Sequence, residues 1–242
     1  IDASDTLGLT LVEREEDVEK AVNYLKSISK HNKFILFHYP HGIAVSIVLI
    51  SNGKKVKAIT SAAHEYIVSQ NTRNVIYLGG YMPAPHTVMS QLFEYAEKLV
   101  SKIRGLKGMI TVSAILIESG PVFISLTPVV SPIYIGLRKM LNINAAQLIY
   151  DAIINETIPE DILLYGSIYF KKIFISNPED MPISHVQPLV NVEAIPSPPF
   201  YLETDVGSVF LVGEGETLAD AKKMFEYLRD GLYNIYKVVR IK

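Results

Sequence analysis

The chain has 242 residues, 49% hydrophobic and 20% charged, with a formal net charge of -2. That composition is too apolar for a disordered chain and large enough for a substantial core and one or two domains. Scattered lysines on a near-neutral chain leave no footprint for nucleic acid, and no apolar run approaches the ~20 residues of a membrane span. The absence of Cys excludes disulfides and thiolate metal sites. The first residue is Ile with no signal-peptide pattern ahead of it, so the expectation is a cytoplasmic chain that begins inside a longer protein. Many Ile and Tyr without Trp or Cys fit a heat-adapted intracellular protein.

Along the chain the element types alternate. Residues 10–12 end a strand, and REEDVEKAVNYLKSISK then spaces Val18, Ala21, Val22, Leu25 and Ile28 as a helix, acids first and lysines last. FILFHY and IAVSIVLI read as two strands joined by PHG. The Asn-Gly of SNGKK marks a tight hairpin that pairs 44–50 with 55–60. Residues 61–86 read as loop with at most one strand. TVMSQLFEYAEKLVSKIRG predicts a helix with Val88, Leu92, Tyr95, Leu99 and Ile103 on its apolar stripe and a stop at Gly105. MITVSAILI and PVFISLTP form a hairpin through Glu118, Ser119 and Gly120, and GPVFISLTPVVSP has the rhythm of a buried strand running into irregular chain. A helix follows over 145–153. Beyond Pro159 come a strand-like ILLYGSIYFKKIFI, a proline-rich segment extended over the surface, a short strand at 208–212 and a closing helix capped by Thr217. The sum is a mixed α+β chain with antiparallel pairs.

Few residues declare chemistry on their own. His38 and His41 stand three apart at a strand end, a spacing open to a metal or an anion, but no third ligand lies at a recognisable interval, and turn roles compete. His64-Glu65 has the make-up of an acid–base pair without nucleophile geometry around it, which favours a structural or solvated role. Gly79-Gly80 and GEGE at 213–216 lack the order of a phosphate loop and read as backbone turns. Ser113, Ser125 and Ser131 sit in apolar strand context with no base, as buried hydroxyls satisfied by backbone.

The order of these segments resembles the ATP-grasp superfamily. FILFHYPHGIAVSIVLISNGKKVKAIT is similar to the hinge strand that meets adenine and the strand pair after it. GLKGMITVSAILIESGPVFISLTPVVSPIYIGLRKM is similar to the stretch that mounts the family's metals, and YLGG at 77–80 looks like the archaeal carboxylate–amine ligase branch that includes tyramine–glutamate-ligase-like proteins. The resemblance implies an α+β, ATP-grasp-like fold of antiparallel sheets with flanking helices. Residues 1–60 would form a small subdomain with nucleotide lid and hinge, and 61–242 a larger C-terminal subdomain with a proline-rich tail. It implies ATP as cofactor, held by His38 and Tyr39 at the hinge, Gly42 and Ser46 of the following motif, and Lys54.

The same resemblance exposes departures. The two acids and the asparagine that hold Mg²⁺ in the family fall on Ser113, Ser125 and Thr127, the arginine falls on Val129, and only Pro128 is kept. Ala63 and Glu65 stand where relatives often have Asn and Gln, Ala3 and Asp5 replace loop glycines while Gly8 remains, and the family's first lysine would precede Ile1. Mg²⁺ takes oxygen ligands with one or two carboxylates, and serine cannot supply that charge. The expectation is therefore a catalytically degenerate homologue without Mg²⁺, binding a nucleotide or a partner protein, with no assigned catalytic or metal residue. As partners it would have a second copy or an active homologue, and neither nucleic acid nor membrane. The alternative is an active carboxylate–amine ligase with metal ligands elsewhere, such as Glu65, Glu118 or Asp205, or in a part of the protein outside this sequence.

Overall fold

The Asn-Gly turn does what its sequence predicts. In a computed structural model, which describes residues 8–31, 33–84, 89–176, 206–233 and 237–238, it joins β1 (Ile43–Asn52) to β2 (Val56–Val68). The pairing is antiparallel, with Ser46 opposite Ala62 and Ser51 opposite Val56. The Asn52 carboxamide accepts from the backbone N–H of Lys54 and Lys55, at 3.0 and 2.7 Å, and fixes the turn. The remaining strands are β3 (Val75–Met82), β4 (Lys107–Ile117), β5 (Gly120–Thr127), β6 (Ser167–Ser176), β7 (Val206–Gly215) and β8 (Lys237–Val238). All join one eight-stranded antiparallel sheet in the order β5-β4-β1-β2-β3-β6-β7, with β8 beside β6. The helices are α1 (Val18–Ile28), α2 (Met89–Ser101), α3 (Tyr134–Met140), α4 (Ala145–Tyr150) and α5 (Leu218–Tyr233). The expected antiparallel α+β architecture with flanking helices is what forms.

Alternation along the strands builds a core on each face. Val45, Ile47 and Leu49 of β1 pack with Ile110 and Val112 of β4 under Leu92, Ala96 and Val100 of α2. Val48 and Ile50 point the other way, into Leu137 and Met140 of α3 and Leu148 of α4. A third cluster places Phe225 and Leu232 of α5 on Tyr169, Ile173, Val209 and Leu211.

Several sequence expectations change. Residues 61–86 are not mainly loop: β2 continues to Val68 and β3 follows. Small residues, Ser61 to Ala63, hide the strand pattern, although all are buried in the sheet. Gly79 and Gly80 lie inside β3 rather than in a turn. Gly79 has φ +134, and a Cβ there would sit 2.1 Å from the Phe170 carbonyl oxygen, so glycine lets β3 seat between β2 and β6. Gly213 and Gly215 likewise end β7 rather than make a turn. FILFHY does not pair as a strand; residues 33–40 form neither helix nor strand and make no backbone hydrogen bond to another element among the described residues. The α2 stripe is displaced: Tyr95, Leu99 and Ile103 are exposed, while Leu92, Ala96 and Val100 are buried. Ala96 lets the helix approach the sheet closely, a role that its small hydrophobicity conceals, and Val88 lies outside the described residues. PVFISLTP is an edge strand whose Val122, Phe123 and Ile124 are exposed, not a buried one. Helix α3 had no counterpart in the sequence pattern; it begins just after Pro132. The helix over 145–153 ends as α at Tyr150 and continues as a π-helical turn, Asp151–Asn155. The proline-rich segment lies outside the described residues.

Candidate functional site

Strand register gathers four polar side chains into one row. Ser46 of β1 lies opposite Ser113 of β4, and Ser113 lies opposite Ser125 of β5. Directly opposed residues share a face, so the three hydroxyls cross adjacent strands at one level. The Ser46 and Ser113 oxygens are 3.1 Å apart, and on the other side the Ser46 hydroxyl is 2.7 Å from His64 Nε2 on β2. One rung further along, Thr111 faces Thr127, with the Ser131 hydroxyl 3.5 Å from that of Thr111. The row runs from interior to surface: Ser46 is buried, Ser113 half-buried and Ser125 exposed.

His64 closes the inner end. The residue as a whole is half-buried, but Nδ1 is enclosed and has no hydrogen-bond partner among the described residues. Burial pushes its pKa down to about 4, so the imidazole is neutral near pH 7. Its ring lies 5.9 Å from Tyr66 and 5.6 Å from Tyr77, and Tyr77 is 6.3 Å from Phe210, which gives the row an aromatic flank. A neutral imidazole hydrogen-bonded to a serine is the pairing a nucleophile and its base would need. Here the serine is covered by the sheet, no carboxylate hydrogen-bonds the ring among the described residues, and the pair is structural.

The residues expected to bind a cofactor do not all meet. Gly42 and Ser46 flank the start of β1. A Cβ on Gly42 would come 2.3 Å from the Leu116 carbonyl oxygen, so glycine there lets the segment leading into β1 pass against β4. His38 and Tyr39 lie in that segment, and burial raises the Tyr39 pKa. Lys54 is elsewhere. It caps the opposite end of β1, about 20 Å from Ser46 at ~3.3 Å per strand residue, and is paired with Glu156 at 2.9 Å. His64 and Glu65 do not act together either, because successive strand residues face opposite sides. Glu65 accepts from the Tyr169 hydroxyl at 3.0 Å and Lys171 Nζ at 2.8 Å on the α5 side. Ser113 is bonded to other hydroxyls rather than to backbone. The link from His64 to Ser46 was missed because 61–86 reads as loop in sequence; a two-residue alternation through Ala62 and His64 would have pointed to it.

The ATP-grasp domain family matches residues 1–130. The chain belongs to the ATP-grasp family. Several solved structures share the fold. An L-amino acid ligase from Bacillus licheniformis superposes with a TM-score of 0.65 at 14% identity, over 97% of this chain and 63% of that one. A carboxyaminoimidazole ribonucleotide synthase from Aspergillus clavatus, complexed with ATP, gives 0.63 at 18% identity, over 97% and 61%. The Kluyveromyces lactis urea amidolyase gives 0.58 at 14% identity, over 81% of this chain and 12% of that one. The chain thus spans less than two thirds of each of these proteins. No curated protein matches it in sequence.

Within the ATP-grasp frame, the metal positions implied by the sequence resemblance are the members of the row, Ser113 and Ser125, with Thr127 on the next rung. That donor set does not fit Mg²⁺, which takes an octahedral oxygen shell with carboxylate charge. The acids considered as substitutes do not reach it. Glu65 faces the other side of the sheet, and Glu118 sits in the β4–β5 turn, about 16 Å along the strand from Ser113 at ~3.3 Å per residue. Asp205 lies outside the described residues. Among the described residues no three His, Asp or Glu side chains form a metal-holding group, and no helix is long and apolar enough to cross a membrane.

Proposed function

We propose that the chain is an ATP-grasp homologue that takes up a nucleotide-class ligand without metal-assisted phosphoryl transfer. The observation that carries the reading is the row itself: hydroxyls of Ser113 and Ser125, not carboxylates, stand where the resemblance places the metal ligands, and Ser113 bonds inward to Ser46 and through it to a neutral imidazole. Phosphoryl transfer depends on positioning and on metal charge against the phosphates, and this row supplies no such charge. The hinge segment keeps its part in the reading, because adenine can be held there by backbone beside His38 and Tyr39. The ATP bound to the Aspergillus clavatus synthase supports a nucleotide as the ligand class. The YLGG stretch supports a place beside the carboxylate–amine ligase branch.

Calorimetry with ATP, with and without Mg²⁺, and a phosphate-release assay test this. The expected outcome is no phosphate release and an affinity that Mg²⁺ leaves unchanged. Paired Ser113→Asp and Ser125→Glu substitutions should create a Mg²⁺ dependence. Micromolar binding that requires Mg²⁺, or phosphate release in the presence of a carboxylate and an amine, would instead establish the active ligase.

A second reading, that the chain works through a partner, is favoured by the hinge strip. Ile35 is 74% and Leu36 94% exposed, beside exposed Phe34 and Phe37. Replacing Ile35 and Leu36 by Ser should convert any oligomer seen by light scattering to monomer. An unchanged mass would remove this strip from the interface.

A further inference from the structure

The turn between β1 and β2 sets the Asn52 carboxamide next to the backbone nitrogen of Gly53, with no side chain on Gly53 to shield it. In an open chain that dipeptide modifies itself. The Gly53 nitrogen bonds to Asn52 Cγ, its proton and Nδ2 leave together as ammonia, and water then opens the succinimide to an aspartyl or isoaspartyl residue. The folded chain has the groups for this step engaged elsewhere. Gly53 N–H donates to Ser51 Oγ at 3.1 Å, and the Ser51 hydroxyl donates to the Leu106 carbonyl at 2.7 Å. Oδ1 of Asn52 is held by the N–H groups of Lys54 and Lys55, and Nδ2 donates to the Glu156 carbonyl at 2.7 Å. Asn52 is 7% exposed. Lys107 lies across Gly53, where a Cβ would stand 3.2 Å from Lys107 Cε, and Glu156 anchors Lys107 at 2.7 Å.

Closing the succinimide ring swings the carboxamide off two donors and one acceptor at once and takes the Gly53 proton from Ser51. The reaction therefore waits for the turn to open locally. We propose that Asn52-Gly53 is a deamidation site that the folded chain holds shut through Glu156 and its two lysines, and that its product releases the hairpin from the turn at Glu156. An aspartyl carboxylate has no N–H to give the Glu156 carbonyl, so the bond that ties residues 104 apart is lost and two oxygens face each other.

Peptide mapping across residue 52, after incubation of the whole chain in mildly alkaline buffer, reads aspartyl and isoaspartyl products. Deamidation in native buffer should be at least about tenfold slower than in guanidinium, because it reports only the locally opened fraction. Ser51→Ala and Glu156→Gln should each speed the native reaction severalfold. Glu156→Gln should leave the rate in guanidinium unchanged, since residue 156 is distant in sequence. Asn52→Asp, the aspartyl product made directly, should lower the urea midpoint. Should the buried Ser51→Ala fail to fold, the half-exposed Glu156→Gln decides the matter. A native rate equal to or above that in guanidinium overturns the protection, and an unchanged native rate in Glu156→Gln removes Glu156 from it. An unchanged midpoint in Asn52→Asp overturns the release of the hairpin.

Discussion

Protonating His64 would place a charge among Ser46, Tyr66 and Tyr77, where burial holds its pKa at about 4 against an ordinary value of 6.5. Between those two values the unfolded chain binds a proton that the folded chain refuses, so stability falls as pH drops from 6.5 toward 4. Glu156 acts in a lower window. Lys107 at 2.7 Å and Lys54 at 2.9 Å hold its pKa down to about 2, from 4.5. Its contribution is complete above pH 4.5 and is lost as pH falls toward 2. Urea midpoints measured from pH 7 to pH 2 should therefore decline in two stages. His64→Phe should flatten the first and Glu156→Gln the second, and loss of both stages in either variant would contradict this assignment. Neither role was legible in the sequence. Glu156 earns its position from a left-handed φ of 53° and from the Asn52 side chain, which donates to its carbonyl at 2.7 Å across 104 residues.

At the scale of elements, α5 lies against β7 through glycine. A Cβ on Gly213 would stand 2.0 Å from the Ala221 carbonyl oxygen and 2.5 Å from the Phe225 nitrogen, both backbone of the helix. Gly213→Ala should cost about 1–3 kcal/mol or more, because neither backbone can yield. Gly231, exposed near the end of α5, meets nothing within 4 Å. Gly231→Ala should gain a few tenths to about 1 kcal/mol. Chemical denaturation of the two variants checks the opposite signs. The helix itself was readable: the Thr217 hydroxyl accepts from the Asp220 N–H at 3.2 Å, as its capping residue type predicts. Its docking was not, since a glycine in GEGE signals a turn and a close backbone approach equally well. The same ambiguity hid β3, and in α2 it made large Tyr95 and Leu99 outweigh small Ala96. Sequence periodicity finds an element more readily than it finds the face through which that element packs.

Across the whole molecule, β1 is an interior strand of the sheet, bonded along its length to β4 on one side and β2 on the other. Residue 60 falls within β2. A boundary at 60 would therefore cut through a strand of this sheet. The chain should unfold in a single cooperative transition by circular dichroism, and a fragment spanning 61–242, which lacks the interior strand β1, should show none. A separate transition in that fragment would make the two parts independent. The family was legible because the order of hinge, hairpin and strand pair survives in sequence; the row was not, because register between strands far apart in the chain sets it.

The His64–Ser46–Ser113 chain also has a direction. A buried N–H without an acceptor is more costly than a lone pair without a donor, so the proton of His64 belongs on Nε2, with the enclosed Nδ1 left as the bare nitrogen. Nε2 then donates to Ser46, Ser46 donates to Ser113, and the Ser113 hydroxyl proton is free to turn outward. One interior tautomer thereby orders the hydroxyls outward from the sheet interior, with Ser113 as a donor on the side where β5 and Ser125 stand.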